Sequence, residues 1–213
     1  MVPEWWVGMH RRPALLFTLG LWSAAAVLQA FAQETHSALV YNRNNLGAGE
    51  LLGGLTGHLL HVGWSHYLLN MAGLGLILFL FKDAWTPARL MTVFIACLLA
   101  VDAGLWWLSP QVMSYAGLSG ILHGLLGAGA LFCWRTAGWF AALVLLATGT
   151  KLAWEQFVGA TASMSEIVGA PIIVDSHLYG FIGGIIAAFF LRAAACAWRI
   201  HNHAANGRWN NLR

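Results

Sequence analysis

The sequence predicts an all-α membrane protein: a bundle of six transmembrane helices in which the fourth is short, recessed from the membrane surface and led by a serine. Three observations predict it. Of the 213 residues, 59% are hydrophobic and only 9% charged, a balance outside that of soluble domains. Apolar stretches recur at 14–32, 58–81, 90–108, 119–134, 138–153 and 176–191, and most approach the roughly 20 residues that cross a bilayer. Basic residues gather between alternate stretches, as they do in the cytoplasmic loops of multi-span proteins.

The first span, 14–32, follows Arg11 and Arg12. Those two arginines, an apolar run and Ala30-Phe31-Ala32 also fit a cleavable signal peptide, but the run is long for one and reads as an uncleaved helix. Lys82 and Arg89 separate the second and third spans, Arg135 the fourth and fifth, and Arg192, Arg199, Arg208 and Arg213 follow the sixth. With both termini cytoplasmic, nine of the eleven basic residues lie inside and only Arg43 and Lys151 outside. The positive net charge is therefore a topology signal, and it implies no nucleic-acid partner. Residues 1–192 read as one six-helix membrane domain and 193–213 as a basic cytoplasmic tail. Loops 33–57 and 154–175 are external and the longest, which makes them the expected substrate-facing segments. Cys97, Cys133 and Cys196 form no C-x-x-C pair and imply no disulfide framework.

The fourth span carries the main clue. Ser119 to Arg135 covers 16 residues, or roughly 24 Å at 1.5 Å per residue, against a hydrocarbon core of about 30 Å. Ser119 then starts its helix below the outer surface, and residues 109–118 must descend to reach it. Non-helical backbone at that depth is tolerated only when buried in protein or lining water, so "MSYAGLSGILHGLL" (113–126) predicts an aqueous pocket.

Measured from the cytoplasmic basic residue of its own helix, His177 rises roughly 22 Å, His66 roughly 24 Å and Asn70 roughly 18 Å. His66 and Asn70, at i and i+4, share a helix face. Polar groups converging at membrane depth mark a functional site. A serine hydroxyl needs a base, and an imidazole that titrates near neutrality suits the role. A tetrahedral intermediate needs donors, and the Ser119 backbone N–H at a helix N-terminus, His66 and Asn70 are placed to supply them.

At these residues the chain resembles the rhomboid intramembrane serine proteases, over roughly 40–192. "GLSG" (117–120), "HVGWSHYLLN" (61–70) and "SHLYGFIGG" (176–184) match that family's motifs in order and on the corresponding helices. "YNRNNLGAGELLGGLTGHLLH", "GLSGILHG", "KLAWEQFVG" and "HLYGFIGG" are similar to the rhombosortase branch. The resemblance implies a serine endopeptidase of the bacterial inner membrane, open to the periplasmic side. Its substrates would be exported membrane-anchored proteins ending in a Gly/Ser-rich motif, a transmembrane helix and a basic tail. The roles implied are Ser119 as nucleophile, His177 as general base and acid, and His66, Asn70 and the Ser119 backbone as oxyanion donors. His61 would lie near the water route and Gly117 in the turn before the nucleophile, while Gly180 and Gly184 would let the fourth and sixth spans approach. No cofactor or metal is implied.

Two positions depart from the family pattern. His123 stands where many rhomboids carry a tyrosine that stacks on the catalytic histidine; it either stacks likewise or adds a second titrating group. "GELLGG" (49–54) lacks the Trp-Arg pair of the first external loop. Of the remaining polar residues, His58 reads as interfacial, Asp102 as locally paired, and Lys151 with Glu155 as an outer-edge ion pair at i, i+4. The twelve tryptophans suit interfacial belts. A rival reading is a haem or metal protein, since nine histidines are present, but there is no H-E-x-x-H, no C-x-x-C-H and no carboxylate near the histidines of the second span. A second rival is a proteolytically inactive relative that only binds helices.

Overall fold

The computed structural model describes residues 18–31 and 38–205. Arg11, Arg12, Arg208, Arg213, residues 14–17 of the first span and Ala32 lie outside the described residues.

Helix α1 (Thr18–Ala30) leans on the second long helix, where Tyr67 donates its hydroxyl to the Trp22 carbonyl at 3.2 Å. The external loop expected at 33–57 contains strand β1 (Tyr41–Asn42) and short helices α2 (Arg43–Gly47) and α3 (Leu52–Thr56). Helix α4 (Trp64–Leu80) starts later than the apolar run predicts, because Gly63 is extended at φ −162 and ψ 175. His58 and His61 therefore precede the helix. Helix α5 (Pro87–Trp107) is set by Thr86, whose hydroxyl accepts from the Arg89 N–H at 3.3 Å, and by proline in its first turn.

Strand β2 (Ser114–Tyr115) pairs antiparallel with β1, Tyr41 against Tyr115 and Asn42 against Ser114, tying the segment before the fourth long helix to the first external loop. Helix α6 (Ser119–Phe132) starts at the serine. Helix α7 (Gly138–Val158) runs past the expected end at residue 153, since nothing in the sequence stops it before Gly159, at φ +86. Within the loop expected at 154–175, helix α8 (Ala162–Val168) runs from a Thr161 cap to Gly169, in the left-handed region at φ +84. Helix α9 (Val174–Ala205) carries on beyond residue 191, because the alanine-rich sequence after Arg192 favours helix. The expected tail is thus helical through Ala205.

Helices α5 and α9 are long and apolar enough to cross a membrane, while α1, α4 and α6 are shorter apolar helices. The core gathers Leu74, Leu90, Val93, Cys97, Ile121, Leu125 and Ala188, all buried. Phe79, Leu99, Leu146 and Phe190 are exposed on the outside, an apolar outer surface that a lipid environment would cover.

Two devices position the site. Helices α6 and α9 run in the same direction: Ser119 meets His177 at one end, and Arg192 donates to the Leu131 carbonyl at the other. Between those points glycine faces glycine. A Cβ at Gly180 would fall on the Gly120 carbonyl, and one at Gly184 on the Gly124 backbone. The backbones are in direct contact, as small residues allow.

The second device is Arg43. Its guanidinium donates to the carbonyls of Leu105, Trp106, Ser109 and Val112 and lies 5.0 Å from the centroid of the Trp106 ring. These carbonyls are at and just beyond the C-terminus of α5, where the helix supplies no partner, and a cation suits the negative end of the dipole. Arg43 thereby ties the segment carrying β1, α2 and α3 to the end of α5, in a chain whose "GELLGG" (49–54) holds no Trp-Arg pair.

Candidate active site

Ser119 is the first residue of α6, where backbone N–H groups have no intrahelical acceptor. The turn before it depends on Gly117. Its φ of +134 suits glycine, and a Cβ there would lie 2.7 Å from the His66 ring. The Gly117 N–H donates to the Gly57 carbonyl at 3.0 Å, and the Tyr115 hydroxyl donates to the Gly117 carbonyl at 2.7 Å. The descending segment is therefore pinned on both sides.

His177, near the start of α9, is buried. Its Nε2 is 3.0 Å from Ser119 Oγ, and its Nδ1 is 2.9 Å from Glu155 Oε2 on α7. An ionised carboxylate only accepts, so Nδ1 carries the proton and Nε2 presents its lone pair to the serine hydroxyl. That is the tautomer a general base needs.

His123, one turn along α6, lies flat against His177, ring centroids 4.2 Å apart at 21°. Its Nε2 accepts from Lys151 Nζ at 3.0 Å, so its Nδ1–H donates to the Ser119 carbonyl at 2.8 Å. His123 thus stacks, and it is also hydrogen-bonded at both nitrogens.

His66 and Asn70 are buried on one face of α4. The Asn70 amide nitrogen and His66 Nδ1 have no hydrogen-bond partner among the described residues, an arrangement that is costly unless a ligand uses them. His66 and Ser119 line one cleft of about 290 Å³, walled by Val40, Tyr115, Pro171 and Ile172. The predicted pocket is thus present beside Ser119.

Several expectations need correction. His58 is fully buried within the protein, with Nε2 3.1 Å from Asp102 Oδ1, a partner that its place in the sequence does not reveal. Asp102 is locally paired as expected, and it places a carboxylate beside a histidine that adjoins the second span. His61 is fully buried, its ring edge-on to His66 at 5.0 Å, packed behind the site. The Lys151–Glu155 pair exists at 2.6 Å, but Glu155 is a buried partner of His177 and no mere edge charge. The available signal is a carboxylate within an apolar run with no helix breaker before Gly159; the i, i+4 lysine gives it a sufficient partner and hides the second one.

The ligand atoms of His123, Glu155 and His177 lie within 4.8 Å of one another, close enough together to surround a metal ion. Lys151 already donates to two of the three and the serine hydroxyl to the third, so these lone pairs are taken up by protein donors.

Among known proteins, the model of the rhomboid domain matches residues 48–194. No curated protein and no solved structure matches the chain. A match over more than half of the chain, spanning Ser119, His66 and Asn70 of α4 and His177 of α9, shows that this protein belongs to the rhomboid family of intramembrane serine proteases.

Proposed function

We propose that this protein is a rhombosortase-like intramembrane serine endopeptidase. Its substrates are exported proteins held by a C-terminal Gly/Ser-rich motif, a transmembrane helix and a basic tail, and it cleaves them at the outer face of the bacterial inner membrane. The observation that carries this reading is the 3.0 Å approach of Ser119 Oγ to His177 Nε2 at the edge of a cleft.

Ser119 gives its proton to His177 Nε2 as its oxygen attacks the scissile carbonyl. The oxyanion of the tetrahedral intermediate is taken by the Ser119 N–H, Asn70 Nδ2 and His66. His177 returns the proton to the leaving amine, leaving an acyl-enzyme, and the same base then activates a water to release the acid. The buried, unpartnered donor of Asn70 supports this division of labour. The six-span reading places both termini in the cytoplasm and the cleft toward the periplasm, with α6 recessed so that its N-terminus meets water.

The experiment compares the wild type with Ser119→Ala and His177→Ala on a substrate bearing such an anchor. Each variant should lose cleavage while keeping the wild-type melting temperature; cleavage that persists in either refutes the assignment. Elemental analysis and a visible spectrum of the active protein accompany it. Stoichiometric zinc or a Soret band would favour the metal or haem reading instead.

A further inference from the structure

The proposed mechanism uses Ser119 and His177 for proton transfer and His66 and Asn70 for the oxyanion, and leaves Glu155, Lys151 and His123 without a task. Those three and the two reacting residues nonetheless form one closed set of hydrogen bonds. Ser119 Oγ–H meets His177 Nε2 at 3.0 Å, and His177 Nδ1–H meets Glu155 Oε2 at 2.9 Å. The other carboxylate oxygen, Oε1, accepts from Lys151 Nζ at 2.6 Å, and Lys151 also donates to His123 Nε2 at 3.0 Å. His123 Nδ1–H returns to the Ser119 carbonyl at 2.8 Å. Glu155 and His177 are both under a tenth exposed.

We infer that Glu155 is the positioning residue of the base, making the site a Ser119–His177–Glu155 triad, and that Lys151 locks the carboxylate in that role. This inference rests on the serine-hydrolase reading. A neutral imidazole has two tautomers, and only the one protonated at Nδ1 can take the serine proton. Glu155 selects it, because a carboxylate offers Nδ1 nothing but lone pairs. When the proton moves to Nε2, the carboxylate lies against the imidazolium and stabilises it. Lys151 reaches Glu155 from the preceding turn of α7 and uses the oxygen that His177 does not. It also fixes His123 as a neutral ring stacked on His177, so no second imidazolium lies against the first.

The lock makes an unusual prediction. In Glu155→Gln the amide has one oxygen and one NH2 group. Lys151 only donates, so it holds the oxygen and turns the NH2 toward His177 Nδ1. Nδ1 must then accept, the ring proton moves to Nε2, and the base is lost. Removing the lysine as well frees the amide to turn its oxygen to Nδ1–H and restore the working tautomer.

The test follows the rate at which a fluorophosphonate probe labels Ser119, which requires no protein substrate, together with kcat and KM on the anchored substrate. Glu155→Gln should lower labelling and kcat by about 10³–10⁴-fold with KM nearly unchanged. Glu155→Asp, which keeps the carboxylate, should recover part of the rate. The double variant Glu155→Gln with Lys151→Met should label faster than Glu155→Gln alone. Melting temperatures check the folding of each, and if Glu155→Gln does not fold, Glu155→Ala takes its place as the reference: it should label far more slowly than Glu155→Asp, and labelling of Glu155→Ala at the wild-type rate overturns the positioning role. Labelling of Glu155→Gln at the wild-type rate, or a double variant no faster than the single one, overturns the positioning role while the protease reading stands. Failure of the wild type to label at Ser119 overturns both. A wild type that labels but does not cleave overturns only the substrate class.

Discussion

Asn70 has a buried amide nitrogen with no partner among the described residues and sits one turn from His66, whose Nδ1 is equally unmatched. If these groups serve a developing oxyanion, they are worth more in the transition state than in the ground state. Asn70→Ala and His66→Ala should each reduce kcat by about 10²–10³-fold with smaller changes in KM, as steady-state assay of the purified variants would measure. Ser119, His177, His66 and Asn70 are legible in the sequence because depth along a membrane helix can be counted from its basic end, and a polar residue deep in lipid is rarely incidental. Glu155 is not legible. Counting places a residue along an axis but does not give the azimuth of one helix against another, and the azimuth of α7 decides that Glu155 faces His177. His58 misleads for a similar reason: its place at the edge of an apolar run gives no sign that Asp102 of α5 meets it.

At the scale of elements, the pairing of α6 with α9 determines whether the site exists. Gly184 packs its Cα against the Gly124 backbone, so any side chain there forces the helices apart or distorts them. Gly184→Leu should destabilise the protein by at least about 1–3 kcal/mol, seen as a lower melting temperature in detergent. It should also weaken fluorophosphonate labelling of Ser119, since the base is displaced together with its helix. The glycine spacing on the last helix can be read from the sequence because it repeats every fourth residue. The anchoring by Arg43 cannot, since its four acceptors are backbone carbonyls on another element and carry no side-chain signature. Helix ends differ from expectation where hydropathy and backbone geometry diverge: residues 58–63, at the start of an apolar run, precede the first turn of α4, and α7 continues through polar residues until Gly159.

For the whole molecule, α6 and α9 run in the same direction, as the proposed six-span arrangement requires of its fourth and sixth spans. Helix α9 has 32 residues, about 48 Å at 1.5 Å per residue, which exceeds a hydrocarbon core of about 30 Å. In that arrangement its distal part, with Arg192 and Arg199, would lie beyond the core on the side away from Ser119. A reporter active only in the cytoplasm, fused after Arg213, should be active, and one that requires export should be silent. The reverse pattern would invert the orientation and put the cleft on the cytoplasmic side.

The contact of bare glycine backbones between α6 and α9 has a mechanical consequence. Side chains at an interface act as springs, changing rotamer as the surroundings push, whereas two main chains in van der Waals contact are a hard stop. Ser119 and His177 are mounted at the end of that stop, so their separation is gauged by backbone thickness and should not follow bilayer thickness or lateral pressure. A change of lipid should then leave the spacing between Ser119 and His177 as it was.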